Sequence, residues 1–203
     1  MAKYIAIERE YGSGGSIAAR RLAQRSGMAC YGREILERAG EILCVPVEQL
    51  ERYEERTTNS FLYSVNMMSK AQLADPDMLM REGHLFVAEH QAIRELASQG
   101  PAIFIGHCAS QALAEYDGVL RVFIQANLGQ RKARAVEEYG IPQEEAEATL
   151  RRFDKKRGAY YGMNTARKWR DPRNYDMILD SSTLGIDGCV AAMDALLRKE
   201  QLL

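Results

Sequence analysis

The feature that most constrains this chain is a glycine-rich stretch directly behind its first apolar run. Residues 4–8 are apolar enough for a buried strand, and Gly12, Gly14 and Gly15 follow before helical periodicity begins at Ser16. A strand, a glycine loop and a helix in this order are typical of a site where backbone N–H groups bind phosphate at a helix N-terminus. A plain strand-to-helix turn is the alternative interpretation of the same glycines.

The loop departs from the complete phosphate-binding motif, which ends in a Lys and a nearby Ser or Thr. Gly15 stands at the place of the Lys and Ile17 at the place of the hydroxyl residue. Binding through backbone amides survives these changes, but a cation on the outer phosphates is lost. Arg9 at the start of the loop is the better candidate to replace it, since Arg20 and Arg21 follow more than one helical turn later.

Composition narrows the class of protein. A chain of 203 residues predicts one domain, and its net charge of -1 gives no field that would attract nucleic acid. The four cysteines form no CxxC pair, so neither a zinc site nor a disulfide framework is predicted. The sequence shows no signal pattern and no apolar run near the ~18 residues of a membrane span, so we expect a cytoplasmic protein without a membrane partner.

Strands and helices are predicted to alternate along the chain, which indicates parallel crossovers. The expected strands are residues 4–8, 102–106, 120–126 and 177–179. The expected helices are residues 16–25, 33–43, 82–98, 107–114, 130–138, 143–157 and 184–197. The fold class is therefore α/β, a three-layer α/β/α arrangement with a central parallel sheet covered on both faces.

The stretch between residues 45 and 80 gives a weaker pattern. A helix can open at Pro46, residues 61–73 carry apolar residues at helical spacing, and Asp75, Pro76 and Asp77 indicate a turn. The apolar residues predict either helical core or a surface that covers a site or a second subunit, so a homodimer is one expectation.

Arginine and lysine are dense between residues 130 and 173. Phosphoryl transfer needs cations around the equatorial oxygens, and a mobile helix can deliver them while excluding water. A solvated helix face is the alternative for most of these residues, because Glu and Asp share the segment. The strand at 102–105 ends without an Asp for magnesium, so no metal ligand is assigned.

Taken together, several segments resemble the cytidylate kinase-like proteins of the nucleoside monophosphate kinase group. They are residues 7–15 (IEREYGSGG), 104–109 (FIGHCA), 122–124 (VFI), 130–134 (QRKAR), 154–161 (DKKRGAYY) and 174–186 (NYDMILDSSTLGI). The resemblance spans nearly the whole chain and follows the order of the family. The form REYGSGG is itself typical of the cytidylate kinase-like branch, whereas His107 stands where that branch usually has Arg.

The resemblance implies a P-loop nucleotide kinase fold in a single domain, residues 1–203. It implies a helical acceptor-binding insert over roughly residues 31–80 and a lid over roughly residues 140–172. ATP as donor, Mg²⁺, and a small nucleotide acceptor are the cofactors and partner that it implies.

The resemblance also assigns roles to individual residues. Donor phosphates would be held by Gly12, Ser13, Gly14, Gly15 and Ser16, with Arg9 added from the charge argument above. Charge stabilisation and the lid motif would fall to Arg131, Arg134, Arg157 and Asp154. Arg33 would lie near the start of the acceptor-binding region. His107 is a substrate-side candidate from its residue type and not from the resemblance: it contacts a phosphate, serves in acid–base chemistry near neutral pH, or is simply a partly buried histidine.

Two functions remain open from the sequence. The first is an ATP-dependent phosphotransferase that acts on a nucleoside monophosphate or a similar small acceptor. The second is a nucleotide-binding regulatory protein with weak or no kinase activity, which the missing Lys favours. A dinucleotide-binding oxidoreductase fits poorly, because Ile17 stands at the third glycine of G-x-G-x-x-G.

Overall fold

The computed structural model describes residues 2–50 and 76–199. The helix expected within residues 61–73, and any subunit surface on it, lie outside the described residues. Within the described ranges, no helix combines the length and apolar character needed to cross a membrane.

Five parallel strands form one sheet. They are β1 (Tyr4–Arg9), β2 (Ala29–Tyr31), β3 (Ala102–Ile105), β4 (Val119–Gln125) and β5 (Met177–Asp180), arranged in the order β2-β3-β1-β4-β5. The predicted α/β class with a central parallel sheet is confirmed. Because β1 lies between β3 and β4, the loop that follows it emerges at the middle of the sheet's carboxyl edge, where open α/β sheets bind ligands.

Helices cover both faces of the sheet. They are α1 (Gly15–Ser26), α2 (Arg33–Leu43), α3 (Pro76–Ser98), α4 (Ala109–Ala112), α5 (Leu128–Glu137), α6 (Ala146–Thr165) and α7 (Ser181–Lys199), with a 3₁₀ turn at Pro172–Asn174. One apolar core packs α1 and α7 against the sheet, and a second packs α2, α3 and α4 against the other face.

The strand β1 shows why this sheet is buried on both sides. Its side chains alternate, so Ile5 and Ile7 join the core beneath α1 and α7 while Ala6 joins the core beneath α3. All three are at most 4% exposed. The continuous apolar run that predicted a central strand is thus the direct result of two covered faces.

Several boundaries differ from the sequence prediction. The short strand β2 was not predicted, because three residues carry too little pattern. Helix α6 continues to Thr165, beyond the expected end at residue 157. Gly158 and Gly162 weaken helix propensity there, but the helix continues beside Trp169: a Cβ built on Gly158 would lie 3.7 Å from the Trp169 ring.

Two further boundaries changed for local reasons. Helix α3 begins at Pro76, where the sequence predicted a turn and a helix only from residue 82; proline suits the first turn of a helix. At the other boundary, His107 and Cys108 have φ values of +54° and +52°, so the helix expected from residue 107 starts at Ala109.

An ion pair at the amino edge of the sheet yields a pH-dependent prediction. Arg121 on β4 donates to both carboxylate oxygens of Asp176, at 2.9 and 2.5 Å, and these hydrogen bonds lower the pKa of Asp176. Asp176→Asn should reduce the free energy of unfolding by about 0.5 kcal/mol at pH 7, since the pair is partly exposed. A lowered carboxyl pKa stabilises above the unfolded value of about 3.9 and loses its effect as pH falls through the folded value.

Urea unfolding at pH 7 and at about pH 3 tests this, with the exposed Asp117→Asn as the control. The free energies of unfolding of the wild type and Asp176→Asn should differ at pH 7, and the difference should shrink at about pH 3. An equal loss at both pH values would contradict the electrostatic origin.

Candidate phosphate-binding site

The loop between β1 and α1 has a shape that glycine alone allows at two positions. Gly12 and Gly14 both have φ of +77°. A Cβ at Gly12 would lie 2.8 Å from the carbonyl oxygen of Arg131, which is a backbone atom that cannot move aside easily. Gly14 precedes the first residue of α1, so the loop presents the N-terminus of that helix, which favours negative charge.

A cavity of about 240 Å³ lies in front of this loop. Its wall consists of Arg9, Glu10, Tyr11, Gly12, Gly14, Gly15, Ser16, Ile17, Arg20, Tyr139 and Arg157. Three arginines line this cavity together with the N-terminal turn of α1. The arrangement suits a ligand with several negative charges.

Arg9 lies where the missing lysine stem would be. A Cβ built on Gly15 would be 2.6 Å from the Cβ of Arg9 and 3.1 Å from its Cγ, so the Arg9 chain occupies that space. Its Nε donates to Ser16 Oγ at 3.3 Å, and its Cζ would be 3.4 Å from a Cβ at Gly106. The guanidinium therefore extends from the glycine loop to the end of β3.

Arg157 reaches the loop from α6. Its Nη1 donates to the carbonyl of Arg9 at 2.9 Å, and its guanidinium lies 5.4 Å from the centre of the Tyr11 ring. Burial, followed by repulsion from the Arg9 cation, lowers the pKa of Arg157 to about 9. Two neighbouring cations that destabilise each other would be relieved by a bound anion.

Arg131 and Asp154 hold the loop from behind. Arg131 is 6% exposed, donates to the Tyr11 carbonyl at 2.7 Å, and pairs with Asp154 at 2.5 Å and Glu10 at 3.2 Å. Asp154 in turn accepts the Tyr11 N–H at 2.8 Å. Arg170 completes the cluster, pairing with Glu10 at 2.6 Å and Asp154 at 2.9 Å.

Two more predicted residues contact the loop without lining the cavity. Arg134 donates to the Gly12 carbonyl at 2.6 Å. Ser13 is fully buried: its hydroxyl accepts the Gly15 N–H at 3.3 Å, and its carbonyl accepts from Ser181 Oγ at 2.6 Å. These bonds fix the curvature of the loop.

The two residues assigned to the acceptor side lie apart from the cavity wall. Arg33 is in the first turn of α2, where it pairs with Glu37 at the surface. His107 lies next to Gly106, against which the Arg9 guanidinium rests, and its Nδ1 is 2.8 Å from Oε1 of the buried Glu89. Of the two, His107 is positioned by a buried carboxylate.

Sequence reasoning underestimated Arg20 and missed Tyr139 and Trp169. Arg20 lines the cavity because helical side chains point back toward the N-terminus, so a long arginine covers the preceding turn. Trp169 donates its indole N–H to Glu8 at 2.9 Å, and the two residues are 161 positions apart, so local pattern gives no signal for it.

A five-stranded parallel sheet with a glycine loop after its central strand, and arginines from α5 and α6 around that loop, defines a P-loop kinase fold. The particular group follows from the sequence: a profile of the cytidylate kinase-like family matches residues 4–183, so the chain belongs to that family. No curated protein matches the sequence.

Solved structures agree on the fold. An uncharacterized protein from Eubacterium ventriosum ATCC 27560 is similar with a TM-score of 0.69, at 20% identity over 95% of this chain and 96% of that one. Shikimate kinase from Acinetobacter baumannii, in complex with shikimate, has a TM-score of 0.54 at 12% identity, covering 100% and 97%. Shikimate kinase from Bacteroides thetaiotaomicron has a TM-score of 0.52 at 11% identity, over 96% of this chain and 98% of that one.

Proposed function

We propose that this protein is an ATP-dependent phosphotransferase that moves the γ-phosphoryl group to a nucleoside monophosphate or a similarly small acceptor. The observation that carries the proposal is the cavity that Arg9, Arg20 and Arg157 line together with the glycine loop. Membership of the cytidylate kinase-like family supports a nucleotide kinase type, and the acceptor class rests on that membership. An enzyme of this kind would work in the cytoplasm, where ATP is available.

The donor phosphates would lie against the loop from Gly12 to Ser16. Its backbone N–H groups supply fixed dipoles, and Arg9 supplies the cation that a lysine at position 15 would otherwise provide. Arg157 would neutralise the charge that spreads over the transferred group.

The other predicted residues would position the loop and the acceptor and would not neutralise phosphate charge. Arg131, Arg134 and Asp154 would keep the loop in its binding shape through the contacts already described. Arg33 and His107 would lie on the acceptor side, and residues 140–172 would form the lid that excludes water.

Mg²⁺, when bound, would supply positive charge against the donor phosphates. Ser16 Oγ, an aliphatic hydroxyl in the cavity wall, would be its protein ligand. In residues 2–50 and 76–199 no three His, Cys, Asp or Glu side chains form a metal cluster.

A nucleotide-binding regulatory protein is the second candidate, and the specific observation that favours it is Gly15 in place of the lysine. Both candidates bind nucleotide. Only the phosphotransferase would convert ATP to ADP at a substantial rate when an acceptor is present.

The test is ADP formation with ATP, Mg²⁺ and a panel of nucleoside monophosphates, beside thermal unfolding with and without ATP. We expect one acceptor to raise ADP production well above the acceptor-free rate. A rise in melting temperature with ATP but no turnover with any acceptor would favour the regulatory protein. No effect of ATP on either measurement would rule out both.

A further inference from the structure

Tyr139 is an aromatic side chain in the cavity wall to which the proposed phosphate site gives no role. Tyr139 follows the end of α5, lines the cavity with the glycine loop and Arg157, and is 40% exposed. An aromatic ring this exposed at the edge of a cationic cavity offers a flat apolar surface next to the place for an anion.

The ring is held in place by an aromatic stack. Tyr139 meets Tyr11 edge to face, with ring centres 5.5 Å apart at 67°. Tyr11 in turn lies flat on Phe153 of α6, with centres 4.2 Å apart at 8°. Loop, α6 and Tyr139 thus support one another, and a ring already fixed loses little entropy when it binds a ligand.

The cavity wall combines two kinds of side chain. Arg9 and Arg157 suit the charged part of a ligand, and Tyr139, which shares the Tyr11 ring with Arg157 as a neighbour, suits a planar aromatic part. A nucleoside triphosphate carries both groups, and stacking of a base on an aromatic side chain is tolerant of sequence and of purine or pyrimidine identity.

We propose that Tyr139 is a stacking surface for the base of the donor nucleotide. This inference rests on the proposed function, because it assumes that the phosphates bind at the glycine loop. It adds a contact that the chain's motifs do not assign, and it makes Tyr139 a determinant of affinity for ATP over inorganic polyphosphate.

The test compares ATP with inorganic tripolyphosphate, which has the phosphates and no base. Calorimetric titration of Tyr139→Ala should show ATP binding weakened about 10-fold, in the range of base stacking, with tripolyphosphate within about twofold of wild type. Tyr139→Phe keeps the ring and should bind ATP within about twofold of wild type. Leu128→Ala, an exposed residue of α5 outside the cavity wall, should change neither.

Unchanged ATP binding in Tyr139→Ala overturns the inference, as does an equal loss for both ligands. A loss in Tyr139→Phe equal to that in Tyr139→Ala also overturns it, because the hydroxyl would then be the essential group. Wild-type protein that binds neither ligand would instead overturn the proposed function, and the inference would fall with it. Melting temperatures of Tyr139→Ala, Tyr139→Phe and Leu128→Ala establish that each variant is folded.

Discussion

Arg9→Met is expected to lower kcat for ADP formation about 100- to 1000-fold, in the range found when one preorganised transition-state donor is removed. The assay uses the best acceptor from the monophosphate panel at saturating ATP. The Arg9 stem lies over Gly15 and its guanidinium reaches Gly106, so its loss would leave the proposed donor phosphates with loop amides and Arg157.

The same geometry predicts how activity can be restored. Gly15→Lys alone should fail to improve the enzyme, because a Cβ at Gly15 lies 2.6 Å from the Cβ of Arg9. Arg9→Gly combined with Gly15→Lys removes that overlap and returns a cation to the same space. The double variant should be at least about 10-fold more active than Arg9→Gly, which is strong coupling between contacting sites.

Arg21→Met is the matched control, since Arg21 is a half-exposed arginine of α1 that pairs with Asp187 away from the cavity. It should keep activity within about twofold, as surface ion pairs contribute little. Full activity in Arg9→Met, in protein shown to be folded by its melting temperature, would contradict the proposal that Arg9 replaces the missing lysine.

Arg157→Met is the second substitution with a large expected effect, a loss of about 100-fold or more in kcat/KM for ATP. Arg157 is a cation on α6 that both lines the cavity and donates to the Arg9 carbonyl at 2.9 Å. Arg157→Lys should recover only part of the activity, because an ammonium cannot reproduce the geometry of a guanidinium.

Anion binding gives an independent measurement for the same residue. Tripolyphosphate should raise the melting temperature of the wild type, since it relieves the repulsion between Arg9 and Arg157 that helps to lower the pKa of Arg157. The rise should shrink in Arg157→Met and persist in Lys155→Ala, an exposed cation on the same helix. An undiminished rise in Arg157→Met would place the anion elsewhere.

Trp169 makes these experiments easier to interpret. It is the single tryptophan of the chain, is 5% exposed, and donates to Glu8 at the end of β1. Its fluorescence therefore reports the packing immediately beneath the loop. A variant that loses activity with unchanged emission has lost chemistry and not structure.

The sequence was sufficient for the class of fold because the signals involved are local. The apolar run of β1, the glycines after it and the periodicity of α1 and α2 each lie within a dozen residues. Strand β2 escaped prediction because it is short and only partly buried. Parallel pairing with β3 makes these residues a strand, and that pairing cannot be inferred from the three residues themselves.

The candidate site was less accessible to sequence reasoning. Glycines and arginines could be named as candidates, but whether an arginine lines the cavity or braces the loop depends on contacts between distant segments. Arg131 and Arg157 looked equivalent in the sequence, yet one is enclosed by carboxylates and the other lies in the cavity wall. Composition and spacing cannot distinguish these two environments.

The glycine loop is not a transferable module. Its amide at Tyr11 is held by Asp154, its carbonyls by Arg131 and Arg134, and Ser13 by Ser181, all from sequence more than 100 residues away. Grafting residues 9–16 onto another protein would transfer the glycines without the hydrogen bonds that hold the loop in shape. Substitutions in this loop are therefore expected to be tolerated only together with changes in its partners on α5, α6 and α7, so the loop and three helices far away in the sequence are constrained as one unit.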